Sequence, residues 1–115
     1  MPDASFKDYV LEQLHAFPGV SARAMFGGYG LFKGGLMFGL IADGELYFKV
    51  DEVSRTAFQK INSRPFVYRS RSKSLTMGYW YVPEDLIEDP DDFRAWAATA
   101  YGVAVKAAAA KRRKG

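Results

Sequence analysis

Three observations predict a two-layer α+β fold, an antiparallel sheet of about five to six strands with helices packed on it. Short apolar runs crowd between glycine pairs and turn dipeptides from residue 20 to residue 50. A second pair of such runs lies between Phe66 and Val82. Helical periodicity is confined to the start, the middle and the end of the chain, which gives an N-terminal helix, a short middle helix and a long C-terminal helix.

The first helix is expected over residues 5 to 17, where Phe6, Val10, Leu14 and Phe17 recur at helical spacing. Ser5 or Asp3 is its N-cap and Pro18-Gly19 its stop. Strands follow over Val20 to Phe26, Tyr29 to Lys33, Leu36 to Ala42 and Glu45 to Val50. Gly34-Gly35 and Asp43-Gly44 are two-residue junctions that supply positive φ, so the last three of these strands form a meander. Gly30 and Gly39 fall inside strands, where glycine marks a bulge or a close backbone approach. Leu36 to Ala42 is apolar almost throughout, the pattern of a central strand buried on both faces.

Beyond Val50 the chain turns polar, and Asp51 or Ser54 caps a short helix from Arg55 to Ile61 that Asn62 to Pro65 terminates. Phe66 to Arg69 and Leu75 to Val82 form a further strand pair around the basic loop from Arg69 to Ser74. In the second of these, Leu75, Met77, Tyr79 and Tyr81 alternate with Thr76, Gly78, Trp80 and Val82, giving two unlike faces. The acidic run from Glu84 to Asp92 ends in a helix start: Asp89 caps, Pro90 takes the first position, and Asp91 and Asp92 favour the positive end of the dipole. The last helix presents Phe93, Trp96, Ala97, Ala100, Val103, Ala104 and Ala107 on one stripe, packing for about four turns and then fraying. Ala107 to Gly115 is a helix extension or a disordered tail.

At 115 residues the chain suits one domain, residues 1 to 110, followed by a basic tail at 111 to 115. Cysteine is absent, which excludes disulfides and thiolate metal sites and fits a reducing compartment. With no leader pattern and no membrane-length apolar run, the expected location is cytoplasmic. The net charge of +3 is misleading, because Lys111, Arg112, Arg113 and Lys114 carry four positive charges and leave residues 1 to 110 at −1. The folded body therefore lacks the positive field of a sequence-specific nucleic-acid reader.

Catalytic chemistry finds little material, and the expectation is a non-enzymatic module with no cofactor and no metal. The glycines from Gly27 to Gly35 lack the Lys-Ser/Thr ending of a phosphate loop and sit among hairpins rather than before a helix. His15, the one histidine, falls off the apolar stripe of its helix and faces solvent. Capping accounts for Asp89, Asp91 and Asp92. The strongest functional surface is basic and aromatic: Arg64, Arg69, Arg71 and Lys73, opposed by Tyr79, Trp80 and Tyr81, suited to a protein partner or to nucleic acid, although a solvated hairpin with aromatic cross-strand pairs accounts for the same residues and is the favoured reading of them. Aromatic residues make up 16% of the chain, more than one small core needs, so Tyr29, Phe32 and Tyr47 are candidates for a homodimer interface. The same surplus suggests a small-molecule pocket between sheet and last helix.

Four segments carry a family resemblance: Met-Phe-Gly-Gly-Tyr-Gly-Leu-Phe from Met25, Met-Phe-Gly-Leu-Ile-Ala-Asp-Gly-Glu-Leu-Tyr-Phe-Lys-Val-Asp from Met37, Pro-Phe-Val-Tyr from Pro65, and Met-Gly-Tyr-Trp-Tyr-Val-Pro-Glu-Asp-Leu-Ile-Glu-Asp-Pro from Met77. Together, across roughly residues 5 to 105, the chain resembles the amino-terminal domain of the TfoX/Sxy competence-regulator family. The resemblance implies a two-layer α+β domain. It also implies transcriptional, competence-type regulation of DNA-uptake genes through a transcription-factor partner, the cyclic-AMP receptor protein, rather than independent catalysis. It supplies no catalytic residue. The longer relatives continue into a second, helical domain, which this chain is expected to lack.

Overall fold

A computed structural model describes residues 4–25, 27–69 and 74–114, with the side chains of 68, 69, 74–77, 113 and 114 left out. The element order is α1 (Ala4–Gln13), β1 (Val20–Met25), β2 (Gly28–Lys33), β3 (Leu36–Ala42), β4 (Glu45–Lys49), α2 (Glu52–Lys60), β5 (Pro65–Arg69), β6 (Ser74–Tyr81), α3 (Glu84–Glu88) and α4 (Pro90–Lys114). The six strands form one antiparallel sheet in the order β1-β2-β3-β4-β6-β5.

The hairpins follow from local chemistry. Gly34 and Gly35 have φ of 57° and 79°, and Asp43 and Gly44 have φ of 54° and 72°. Two successive positive-φ residues give a turn whose twist matches that of its flanking strands, so β2, β3 and β4 run as a meander. The apolar run of β3 has a specific cause. Leu31 of β2 faces Gly39 while Phe32 faces Met37, so Phe38 is an extra residue in the ladder. This bulge puts Phe38 and Gly39 on the same side. Phe38 is fully buried, and a Cβ on Gly39 would sit 3.1 Å from the side chain of Leu31. One strand thus supplies two consecutive inward positions because the second carries no side chain.

Among the described residues the helices cover one face: α1 lies by β1, α4 crosses β3 and β4, and α2 lies against β6. Between the layers sit Val10, Leu14, Leu31, Phe38, Ile41, Leu46, Phe48, Phe58, Val82, Ile87, Phe93, Ala97, Ala100 and Ala104. Phe93 stacks on Phe48 at 5.6 Å with ring planes 9° apart, and Phe58 meets the edge of Trp96 at 4.8 Å.

Capping is largely as the residues predict. The Asp51 carboxylate accepts from the Ser54 N–H at 2.8 Å while Ser54 Oγ accepts from the Asp51 N–H at 3.0 Å, so Asp51 is the N-cap, Ser54 is the third helical residue of a capping box, and the helix starts at Glu52 rather than Arg55. Asp89 Oδ1 accepts from the backbone of Asp91 at 3.1 Å and Asp92 at 3.3 Å, with Pro90 as the first residue of α4.

Three expectations are corrected. The first helix ends at Gln13 rather than Phe17, because the Leu14 N–H is shared between the Val10 and Leu11 carbonyls and His15 and Phe17 donate to carbonyls three residues back, tightening the chain into turns. Phe17 still reaches the core, 6.0 Å from Phe38 and 6.1 Å from Tyr101. Of its proposed caps, Ser5 lies inside the helix and Asp3 lies outside the described residues. The acidic run forms a helix of its own, α3, which buries Ile87 and accepts a hydrogen bond from Gln13 Nε2 on the Ile87 carbonyl at 2.8 Å. Finally, α4 does not fray after four turns but continues through Ala107 to Lys114, where alanine and basic side chains are strong helix formers.

Candidate interaction surface

The face of the sheet away from the helices is furnished by every second residue of each strand. Register places Tyr47 opposite both Leu40 and Tyr81, and Lys49 opposite Tyr79. Leu40, Tyr47 and Tyr79 are buried there, with Met37, Ala42, Phe66 and Tyr81 packed around them. Although no helix among the described residues lies above it, Tyr47 is only 5% exposed. Phe66 approaches its ring edge-on at 4.8 Å and Tyr81 at 6.0 Å. Tyrosine suits such a half-wet face because its ring takes part in packing while its hydroxyl reaches a polar partner.

Arg64 organises the polar rim of this cluster. Its guanidinium lies 4.4 Å from the Tyr81 ring centroid and 5.9 Å from that of Tyr47. From there Nη2 donates to Glu45 Oε2 at 2.8 Å, Nη1 donates to the Tyr47 hydroxyl at 3.3 Å, and that hydroxyl donates to Glu45 Oε1 at 2.8 Å. Burial pushes the Glu45 carboxyl up, but hydrogen bonds from Tyr47 and Arg64 and the charge of Arg64 outweigh it and hold it below its ordinary value. Burial raises the Tyr47 hydroxyl, reinforced by Glu45 and opposed by Arg64. Hydrogen bonds from the guanidinium to Tyr47 and then Glu45 raise Arg64. Half of the Arg64 side chain and over a third of that of Glu45 remain exposed, at 52% and 37%. The arrangement is a fixed ion pair on an aromatic floor, able to offer both a donor fork and a carboxylate to a partner.

The residues named from sequence divide across this geometry. Arg64, Tyr79 and Tyr81 share the open face, whereas Trp80 points into the helix layer, 6.5 Å from Phe58. Strand alternation splits Tyr79-Trp80-Tyr81 in this way. Arg71 and Lys73 lie outside the described residues, as does the Arg69 side chain. Among Tyr29, Phe32 and Tyr47, Tyr29 packs on the helix side beneath Lys7, 5.4 Å from its ring centroid. Phe32 lies under Arg23 at 5.0 Å, and Tyr47 belongs to the buried cluster described above. Glu45 was not among the residues singled out from sequence. Its alternation with Tyr47 was visible, but its partner Arg64 is 19 residues away and only strand order makes them neighbours. His15 is exposed, as expected.

Two adjoining depressions of 170 and 340 Å³ lie between α2 and α4, sharing Ser54 and Thr99. Their floor is formed by Phe58, Trp96 and Val103, with Asp51 and Lys106 at one end. Among the described residues no three acidic, histidine or cysteine side chains come together as a metal site. No helix among them is long and apolar enough to cross a membrane.

Comparison with known proteins gives the family. The model of the TfoX N-terminal domain matches residues 12–104, which takes in every strand, α2 and α3, and most of α4. The chain belongs to the TfoX N-terminal domain family. The DNA transformation protein TfoX1 of Aliivibrio fischeri (strain ATCC 700601 / ES114) is 34% identical over 62 residues, 54% of this chain and 30% of that relative's length. The similarity therefore spans less than a third of the longer protein. Within this TfoX N-terminal domain, the open face carries the Arg64–Glu45 ion pair over the rings of Tyr81 and Tyr47.

Proposed function

We propose that this chain is a non-enzymatic regulatory module of the cytoplasm that acts through protein contacts, in competence-type control of DNA uptake. The observation that carries the reading is the family match over residues 12–104, together with a relative named as a DNA transformation protein. The open face supplies a physical means. Arginine and tyrosine are, with tryptophan, the side chains most enriched at the energetic centres of protein interfaces, and the half-exposed Arg64 stands over the rings of Tyr81 and Tyr47. A transcription-factor partner is the expected class.

A nucleic-acid module built on Arg64, Arg69, Arg71, Lys73 and the tail is the alternative. Protein contact is favoured over it because Glu45 already neutralises Arg64 and residues 1–110 carry a net −1.

The test is genetic and biochemical together. Loss of the gene in its native cells should change expression of DNA-uptake genes, and the tagged chain should co-purify with a transcription component through a surface that Arg64→Glu abolishes. Unchanged DNA uptake after deletion would overturn the regulatory reading. Retention of DNA or RNA at low salt, lost with Arg64→Glu and with added salt, would replace protein contact by the alternative.

A further inference from the structure

The sheet ends in two unlike edges. At β5 the strand begins with Pro65, which has no N–H, and its register slips between Pro65 and Val67. Both features keep an edge from pairing with another strand. β1 has neither. Its six residues pair with β2 in unbroken register, and among the described residues β2 is its one neighbour in the sheet. The one charged residue of β1 does not guard the edge, since Arg23 is drawn back over the Phe32 ring on the adjacent strand.

We propose that β1 is a homodimerisation edge, to which β1 of a second copy adds antiparallel so that the two sheets become one. This goes beyond the functional reading and does not depend on it. The occupant follows from the self-complementarity of the strand. A two-fold axis normal to the sheet keeps each side chain on its own face, so facing residues have the same parity. Two registers then use nearly the full length of Val20–Met25. One sets Arg23 directly opposite a second Arg23, and like charges in that position repel. The other sets Ala22 opposite a second Ala22, Ser21 opposite Arg23, and Val20 opposite Ala24. It has no like-charge pair, only methyl groups on the axis, and it covers Ala24, which is exposed in the single chain. A short strand pair of this kind gives a concentration-dependent dimer rather than a permanent one.

The full chain is tested by light scattering or sedimentation across a concentration series, with two sets of variants. Because the natural sequence has no cysteine, Ala22→Cys introduces a single thiol. Facing Cα atoms in an antiparallel pair lie about 4.5–5.5 Å apart, within disulfide reach, so mild oxidation should link Ala22→Cys to itself. Ala24→Cys should not link, since its copies stand about four residue steps of roughly 3.4 Å apart. Independently, Ser21→Glu should tighten the dimer and Ser21→Lys loosen it, by about 2- to 30-fold in each direction from two symmetric pairs with Arg23. A chain that is monomeric at every soluble concentration overturns the proposal. So do equal cross-linking at positions 22 and 24, Ser21 variants that shift the equilibrium the same way, or a dimer that dissociates on Phe66→Ala and ignores Ser21.

Discussion

The two faces of the sheet bury aromatic residues by different means. On the helix side Phe38, Phe48 and Phe93 are fully enclosed because α4 supplies a second layer. On the open side Tyr47 and Tyr79 reach 5% and 7% exposure without one, because neighbouring strands lay Phe66, Tyr81 and Met37 across them. The side chains at these five positions follow: Phe38, Phe48 and Phe93 where no water remains, Tyr47 and Tyr79 where one end of the ring can stay wet. An aromatic surplus in a small domain is therefore not by itself a sign of a missing partner. Much of it here is consumed by the uncovered face packing on itself.

The largest expected effect lies in the enclosed layer. Phe93→Ala removes the ring stacked on Phe48 and should cost about 3–5 kcal/mol in chemical denaturation, since α4 cannot collapse into the space. On the open face Phe66→Ala should cost less, about 1–2 kcal/mol, because Phe66 is only half-buried and water can reach the gap. Equal losses for the two would break the distinction between the faces and require the open side to be covered in solution. Next comes the cap of α2. Asp51→Ala forfeits one half of the capping box and should cost about 1 kcal/mol, measured as a shift of the denaturation midpoint at unchanged slope.

The smallest effect is electrostatic and sharpens the comparison, because the open face carries the Arg64–Glu45 ion pair on its aromatic floor. Glu45 is held below its ordinary value by Tyr47 and Arg64 against the opposing effect of burial, and Asp51 is held down by the Ser54 N–H. For a lowered carboxyl, the native state binds fewer protons than the unfolded chain, so the stabilisation is complete above the ordinary value of about 4. It is lost as the pH falls through the lowered native value. Glu45→Gln should therefore flatten part of the acid slope of stability and leave stability near neutral pH little changed, the pair being well exposed. A slope identical to that of the natural chain would show that Glu45 and Arg64 do not pair in solution.

Local chemistry made most of the fold legible. The positive-φ pairs 34–35 and 43–44, the capping residues Asp51 and Asp89, and the alternation of β6 are each readable from neighbours in the chain, because turns, caps and pleats are decided within a few residues. The same alternation, followed strictly, also separates Trp80 from Tyr79 and Tyr81. A basic-aromatic cluster read as a string mixes two faces, whereas a strand presents only every second residue to one side. The extent of α1 and α4 was less legible, since a stripe such as Phe6 to Phe17 keeps its spacing through a following turn.

What the sequence determined alone was the fold class, the number and type of the main elements and the family to which they belong, because all of these rest on short-range patterns. Tertiary structure decided the rest. The crossover that puts β6 between β4 and β5 brings Arg64 onto Glu45 and Tyr47, and the bulge at Phe38 admits two consecutive residues to the core. Strand order also places β1 at one end of the sheet, with β2 as its one neighbour among the described residues. Pairing between segments distant in the chain depends on how the whole sheet buries its apolar surface, and no local run of residues carries that information.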